Sequence, residues 1–350
     1  MIFPAAIVGL ATATPPHVLW QRDVAATARA MFGARYADFE RMAKVFETTG
    51  VIKRHSAVPL DWFFEPRGWP ERTQIYLRAA NAMFVAASQA TLAAAGLQAA
   101  QIDTVVTVSS TGIATPSLEA RAAVEIGLRA DVARVPVFGL GCAGGVSGLA
   151  IAARLAQARP GSNVLLVAIE LCTLAFRLDE LTKANIVATS LFGDGAAACI
   201  LRAGDGGAVQ VEASGEHLWP DTLDIMGWNV DPQGFGVVFQ RSIPAFARAN
   251  IRAAVAGILA RMQLSLADVH RLVCHPGGTK VIAALETAFG LDQGTLDHER
   301  EILAQFGNMS APTVLFVLER LLAGQMPARS LLTSLGPGFT ASCVALKCAA

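Results

Sequence analysis

A cysteine inside a glycine-rich run is the first candidate for chemistry in this sequence. Residues 139–149 read GLGCAGGVSGL and carry Cys142. The run precedes a helical stretch, so Cys142 is predicted to lie in the first turn of a helix. Unpaired N–H groups and the helix dipole favour an anion there. We therefore expect a lowered thiol pKa, a nucleophile suited to acyl transfer through a thioester, and glycines that let the thioester carbonyl approach closely.

An internal repeat connects this cysteine with two other polar residues. The apolar positions of LQAAQIDTVVTV, which begins at Leu97, recur in LSLADVHRLVCH, which begins at Leu264. Cys142 precedes Val164, in the next predicted strand, by 22 positions, and Asn308 precedes Ser330 by the same number. In addition, GDGAAACIL resembles GPGFTASCVAL. Three matches in the same order, at offsets of 166 or 167, indicate a duplicated βαβαβ unit.

Two fused halves related by a pseudo-twofold axis would place equivalent residues close together. Cys142, His275 and Asn308 lie at equivalent strand or helix ends, so we predict that they meet in one site. His275 and Asn308 could donate hydrogen bonds to a carbonyl oxygen that becomes an enolate or oxyanion. Taken singly, each residue has a plainer interpretation: a structural cysteine, a histidine that ends a strand, and an asparagine N-cap.

The surrounding pattern is that of an α/β protein, because strand-like and helical stretches alternate. Buried strands are predicted at 7–13, 105–110, 164–171, 196–203, 271–275 and 330–336, and a helix at 75–95, closed by Gly96. Asp194 is predicted to be a turn residue and Glu170 a partner in a structural ion pair. The histidines other than His275 show no metal-ligand spacing.

Composition excludes several classes of protein. The chain has 350 residues, of which 53% are apolar and 16% charged, and its net charge is zero. This balance argues against nucleic acid as a partner. No apolar run approaches the ~18–20 residues of a membrane span, and the N-terminus lacks the basic start of an export signal. Six cysteines are too few for a disulfide scaffold, so a cytoplasmic protein with reduced thiols is expected.

The motifs GCAGG, LFGDGAAA, CHPGG, FGNMS and LGPGF occur in this order and resemble the thiolase superfamily. More narrowly, they resemble the type III polyketide synthases, the chalcone synthase-like family. SSTGIATPS, PVFGLGCAGG and PDTLDIMGWNVDPQGFGVVF look closest to its bacterial alkylresorcinol and alkylpyrone synthases. The resemblance implies a homodimer with a thiolase-like fold of duplicated βαβαβ halves in an αβαβα arrangement. Residues 1–205 would carry the cysteine, and residues 206–350 the histidine and asparagine.

The resemblance also implies the reaction. Cys142 would be loaded from an acyl-CoA starter and would carry the growing chain. His275 and Asn308 would decarboxylate malonyl-CoA and steady the enolate, and His275 would keep Cys142 as a thiolate. The chain would be extended by Claisen condensation and cyclised to an alkylpyrone or alkylresorcinol. No metal or organic cofactor is implied, because the CoA thioesters are substrates.

The family's pattern assigns further residues around the cavity. Phe192 matches a gatekeeper phenylalanine between the CoA tunnel and the cavity, and Thr115 matches a position that reaches into the partner's cavity. Cys172 and Ala175 match cavity-lining positions, and the small Ala175 leaves room for a bulky or long acyl chain. The candidates for binding the CoA phosphates are Arg41, Lys44 and Lys280, although the spacing on the early helix is shifted and a solvated basic face fits equally well.

Two alternative functions remain open. Ketoacyl-ACP synthase III shares the Cys, His and Asn residues and performs a single condensation, but its last glycine-rich loop supplies an oxyanion N–H. Here the cyclisation or oxyanion loop is Gly336, Pro337 and Gly338, and proline has no N–H to donate. The other alternative is a non-catalytic thiolase-fold protein that binds acyl chains. The intact Cys–His–Asn set argues against it.

Overall fold

The computed structural model describes residues 3–36, 38–180, 182–204 and 207–348. The strands are β1 Ala5–Ala13, β2 His17–Trp20, β3 Lys53–Ser56, β4 Ile102–Val108, β5 Ala133–Val137, β6 Asn163–Leu171, β7 Asp194–Ala203, β8 Val209–Leu218, β9 Met226–Asp231, β10 Gly234–Phe239, β11 Arg271–Cys274, β12 Arg329–Gly336 and β13 Thr340–Cys348. The helices are α1 Gln21–Phe32, α2 Phe39–Ala43, α3 Val45–Thr48, α4 Trp69–Ala95, α5 Leu118–Ile126, α6 Gly144–Ala158, α7 Lys183–Leu191, α8 Ile243–Arg261, α9 Thr279–Phe289, α10 Asp297–Phe306 and α11 Thr313–Leu322.

Nine of the strands form one mixed sheet in the order β11-β12-β13-β8-β1-β7-β6-β4-β5. The two halves of this order match: β4 and β6 are parallel, as are β11 and β12, and β7 and β13 follow as antiparallel neighbours. β1 and β8 join the halves at the centre. The duplicated α/β fold is therefore confirmed.

The matched turns before β4 and β11 explain why the two halves start alike. Each is a short 3-10 turn closed by a capping box, in which Gln98 and Gln101 in the first half correspond to Ser265 and Asp268 in the second. In each box, the side chain of the N-cap residue (Gln98 or Ser265) accepts from the backbone N–H of the residue three positions later, and the side chain of that later residue accepts from the N-cap N–H. The repeat seen in the sequence is thus a repeat of local structure.

The layers follow from the alternation of side chains along the strands. One face of both halves of the sheet packs on α6 and α11, which lie together in the central core. The opposite face of β4 and β6 is covered by α4, and that of β11 and β12 by α8 and α9. α6 and α11 therefore form the middle layer of an αβαβα arrangement, and their N-terminal ends position the candidate site.

Helix α8 is 19 residues long, and by length and hydropathy it could cross a membrane. Arg248 and Arg252 interrupt its apolar residues, so it contains no continuous apolar run as long as a membrane span. Its apolar residues, among them Ile251, Val255 and Leu259, are buried against α9 and the second half of the sheet. The hydropathy of α8 is that of a core helix with one buried face.

Candidate active site

Cys142 lies where the sequence predicts, in a 3-10 turn of Gly141–Ala143 that leads into α6. The neighbouring glycines, however, face protein. A Cβ at Gly145 would lie 2.2 Å from the Ala311 carbonyl oxygen, and one at Gly144 would lie 2.6 Å from Val108. The expectation that the glycines admit a substrate carbonyl is therefore wrong for Gly144 and Gly145, whereas a Cβ at Gly139 would meet nothing within 4 Å. Gly144 and Gly145 let α6 approach α11 and β4 closely.

His275 and Asn308 reach the same place from the other half of the chain. His275 directly follows β11, and its backbone N–H donates to the Thr333 carbonyl at 2.9 Å. Asn308 precedes α11, and its Oδ1 accepts from the Ser310 N–H at 2.8 Å. Cys142, His275 and Asn308 line one cavity, and all three are at least nine-tenths buried. The structure thus brings together the three residues that the repeat predicted to converge.

Burial controls the charge of the Cys142 thiol and of the His275 imidazole. It raises the pKa of the Cys142 thiol to about 11, although hydrogen bonds from Ser310 and Asn308 oppose the rise. It also lowers the pKa of His275 to about 3, and within the described chain neither ring nitrogen has a hydrogen-bond partner. Both groups are therefore neutral near pH 7. The expected lowered thiol pKa is wrong because desolvation outweighs the helix terminus. A neutral imidazole does carry the N–H needed to hold an oxyanion.

Phe192 and Asn308 are tied together through the backbone. The Asn308 N–H donates to the Leu191 carbonyl at 2.8 Å, and the Gly193 N–H donates to the Asn308 carbonyl at 3.0 Å. The end of α7 is fixed in turn by buried Arg54, whose guanidinium donates to the carbonyls of residues 189, 190 and 192. This cation at a helix C-terminus is favoured by the helix dipole. Burial nevertheless lowers the pKa of Arg54 to about 9.

Two phenylalanines meet above the thiol. Phe192 and Phe239 pack edge to face, with ring centroids 6.4 Å apart. Both line a second cavity that also contains Cys142 and Cys172. Phe192, Cys172 and Ala175 further line an apolar pocket that continues toward α1 and the 3-10 turn Leu60–Phe64. Phe192 therefore stands between the thiol and this apolar pocket.

The predicted cyclisation loop lies beside the cysteine turn. Pro337 lines the thiol cavity, and its ring would lie within 2.7 Å of a Cβ at Gly141. Gly336 packs on Ala143 just as closely, while the Gly338 carbonyl accepts from the Thr222 hydroxyl at 3.0 Å. The loop thus forms one wall of the cavity.

A cationic groove leads to the thiol cavity. It has a volume of about 540 Å³ and contains the three candidates for CoA binding, Arg41, Lys44 and Lys280. Lys183 and Arg241 line it as well. At its inner end, the groove shares four residues with the cavity of Cys142: Phe239, Ile243, Gly277 and Val281. Arg41 also forms a 2.6 Å ion pair with Asp38, which leaves the four other cations more available to an anion.

Three other predicted residues lie apart from this groove. Thr115 is exposed on the surface of this chain. Asp194 is not a turn residue: it is fully buried at the start of β7, and its carboxylate accepts from the N–H groups of Ala57 and Thr173. Glu170 forms no ion pair within the described chain. It is fully buried and accepts from the Ser110 N–H and the Thr111 hydroxyl, and burial raises its pKa to about 8.

Several lining residues have no signal in the sequence. Lys183 and Arg241 belong to segments far apart along the chain, and nothing in their local pattern distinguishes them from surface cations. Phe239 and Trp228 come from the hairpin of β9 and β10, within the motif PDTLDIMGWNVDPQGFGVVF, whose pattern does not single out either residue. Ser310 could have been found, because it lies two residues after Asn308 in the FGNMS motif.

Comparisons with known proteins agree with this geometry. Residues 3–205 match the N-terminal domain of the chalcone and stilbene synthases, and residues 210–349 match their C-terminal domain. A 1,3,6,8-tetrahydroxynaphthalene synthase of Streptomyces peucetius is 39% identical over 344 residues, which cover 96% of this chain and 91% of that protein. The alpha-pyrone synthesis polyketide synthase-like Pks18 of Mycobacterium tuberculosis is 31% identical, with 96% and 89% covered.

Solved structures give the same result. The tetrahydroxynaphthalene synthase of Streptomyces coelicolor, described as a bacterial type III polyketide synthase, superposes with a TM-score of 0.93 at 29% identity, covering 99% of each chain. Its match extends over both halves of the sheet and both central helices. The chain therefore belongs to the chalcone and stilbene synthase family and is a type III polyketide synthase.

Proposed function

We propose that Cys142 accepts an acyl group from a CoA thioester and that malonyl-CoA then extends this acyl group. One observation carries the proposal: Cys142, His275 and Asn308 line a buried apolar cavity at the inner end of a cationic groove. A groove of this kind suits the phosphates of CoA, while the apolar cavity excludes water from the thioester.

The neutral state of both groups suggests the order of proton transfer. As the Cys142 sulfur attacks the acyl-CoA carbonyl, its proton moves to His275, and the thiolate of CoA leaves and takes up that proton. Malonyl-CoA next loses CO2, and the electron pair of the broken carbon–carbon bond forms an enolate. The enolate oxygen accepts hydrogen bonds from His275 and Asn308. The enolate carbon attacks the acyl group on Cys142, and the cysteine sulfur leaves as a thiolate that takes up a proton from water.

We further propose a long-chain acyl starter and an alkylpyrone or alkylresorcinol product. The lining of the apolar pocket behind Phe192 supports this, because it includes Leu19, Val24 and Phe63 beside the small Ala175. The volume of the pocket is about 50 Å³, so it must widen to hold a long chain. Each buried methylene contributes about 0.8 kcal/mol, so such a pocket favours long chains over short ones. The name of the mycobacterial relative, which refers to alpha-pyrone synthesis, agrees with this product class.

A homodimer in the cytoplasm completes the proposal. Strand β5 lies at the edge of the nine-stranded sheet and pairs on one side only, and an unpaired edge of this kind invites another strand. Ile113 and Phe138 are about half exposed near this edge. A partner that covers them would bring the exposed Thr115 toward its own cavity, as the family's pattern implies.

The test is a mass-spectrometric product assay. The purified chain receives malonyl-CoA and acyl-CoA starters from short to long, alongside Cys142→Ala and the matched control Cys199→Ala, a buried thiol in β7. We expect pyrones or resorcinols from the native chain and the control, and none from Cys142→Ala. A product made from malonyl-CoA alone would refute the long-chain starter. A single extension that requires malonyl-ACP would favour the ketoacyl synthase. No product and no acylation of Cys142 would refute the catalytic proposal.

A further inference from the structure

One wall of the cavity above Cys142 is a separate hairpin. Strands β9 and β10, with their turn, span residues 226–239 and form a two-stranded sheet outside the nine-stranded one. We call this segment the wall hairpin. Met226, Trp228, Val237 and Phe239 from it line the cavity that contains the thiol. This wall is held by its side chains, because no backbone ladder between described residues joins it to the main sheet.

The space behind the wall hairpin is small. The cavity volume is about 40 Å³ on the Trp228 side of Cys142 and about 20 Å³ on the His275 side. One water needs about 10–15 Å³ of such space, so these cavities hold a few waters rather than a multiply extended acyl chain. A growing chain therefore requires the walls to separate, and the position of the wall hairpin limits its length.

Among the described residues, two polar contacts attach the wall hairpin to the rest of the protein. The Trp228 indole N–H donates to the Ser110 carbonyl at 2.8 Å. At the tip, Arg177 donates to Asp231 at 2.7 Å, and its side chain is 8% exposed. Arg177 also pairs with Asp179 on its own segment and lies 4.0 Å from Glu180. Of these carboxylates, Asp231 belongs to the wall hairpin and the other two do not.

Arg177 belongs to the opposite wall. It lies two residues beyond Ala175, and the same segment carries Cys172, so its backbone is continuous with the far side of the cavity. The Arg177–Asp231 pair therefore joins two facing walls at the end of the cavity that contains Cys142, which we call the chamber. A charge-assisted hydrogen bond at a partly buried site is stronger than a neutral one. This pair is the ionic contact between the two walls, and it adds to the apolar packing of Val237 on Ala175 and Ala188.

We propose that the Arg177–Asp231 ion pair is a specificity-determining contact, which sets the width of the chamber and thereby the length of the polyketide. Arg177 and Asp231 are positioning residues, because they act through the walls and not on the reacting atoms. The inference rests on the proposed role of Cys142 as the residue that carries the chain. Loss of the pair widens the chamber, favours longer products and leaves the loading of Cys142 unchanged.

The experiment compares Asp231→Ala with the matched control Asp179→Ala. Each removes one carboxylate from the same guanidinium, but only the first breaks the contact between the walls. Asp231→Asn is the milder variant, since its amide oxygen can still accept from Arg177. For each protein we would measure the product profile across starters, kcat and KM, the rate of Cys142 acylation by intact mass, and the thermal midpoint.

We expect Asp231→Ala to raise the ratio of longer to shorter products about fivefold, the factor for an ion pair of about 1 kcal/mol whose carboxylate is partly exposed. Asp231→Asn should have a smaller effect, and Asp179→Ala none, with acylation rates equal throughout. Unchanged profiles in both Asp231 variants would overturn the proposal, as would equal changes in the Asp231 and Asp179 variants. If the native chain acylates Cys142 but the Asp231 variants keep its profile, only the wall contact fails. If the native chain does not acylate Cys142, the proposed function fails and the wall contact with it.

Discussion

Replacing Gly145 by alanine tests how the two halves of the chain hold the site. The new Cβ would lie 2.2 Å from the Ala311 carbonyl oxygen and 2.9 Å from a methyl group of Val314, whereas ordinary contacts are 3.4–4 Å. The oxygen belongs to the backbone and cannot rotate away. α6 must therefore separate from the start of α11 by about 1 Å. Cys142 lies three residues before Gly145, and Asn308 lies three residues before Ala311, so this separation also moves the two catalytic candidates apart.

The size of the effect can be worked out from this displacement. Overpacking costs about 1–3 kcal/mol, and a clash with backbone belongs at the upper end. The gain from replacing a helical glycine by alanine offsets about 1 kcal/mol, which leaves a net loss of about 2 kcal/mol. With an unfolding entropy of about 0.7 kcal/mol/K for a chain of this length, the thermal midpoint falls by about 3 °C. A 1 Å misplacement of catalytic groups costs about 100-fold in rate.

The assay measures kcat/KM for polyketide formation and the thermal midpoint of Gly145→Ala beside Gly257→Ala. Gly257 lies within α8, and a Cβ there would meet only Arg261, at 3.9 Å. The control should therefore gain about 1 kcal/mol and keep full activity. A Gly145→Ala protein with native kcat/KM and an unchanged midpoint would refute the inference that this glycine serves the packing of α6 on α11.

Three further predictions concern the pocket, the groove and the site. Ala175→Phe should lower kcat/KM for the longest starters about tenfold relative to short ones, because its ring fills the mouth of the apolar pocket; an unchanged chain-length profile would contradict this. Lys183→Ala should raise KM for acyl-CoA about threefold, an effect that shrinks at high salt, whereas a fall in kcat at constant KM would count against phosphate binding. Burial lowers the pKa of His275 to about 3. The unfolded chain, with its ordinary histidine pKa near 6.5, therefore takes up this proton first as pH falls, so the native protein loses stability between about pH 6.5 and 3. Denaturant titrations should show that, as pH falls through this window, the free energy of unfolding of His275→Gln rises relative to that of the native protein by about 1 kcal/mol per pH unit. If the two proteins lose stability in parallel, the lowered pKa of His275 is disproved.

The sequence by itself determined the features that repeat or lie at the ends of elements. The matched segments beginning at Leu97 and Leu264 predicted equivalent strands, and those strands occupy equivalent places in the sheet. Cys142, His275 and Asn308 could be found because each lies where a strand or helix begins or ends, and the repeat relates those ends to one axis. The division of the chain at residue 205 and the chemical role of each residue stay predictions.

The tertiary structure alone decided which groups are buried and what faces them. Cys142 has the helix terminus that the sequence predicted, yet its pKa rises, because desolvation depends on all the elements that cover it. The glycines after it face Ala311 and Val108, which are distant in sequence. Asp194 and Glu170 resemble ordinary loop and surface carboxylates when only their neighbours in the chain are considered. Periodicity and end signals act over a few residues, whereas burial and close approach arise only when distant segments pack together.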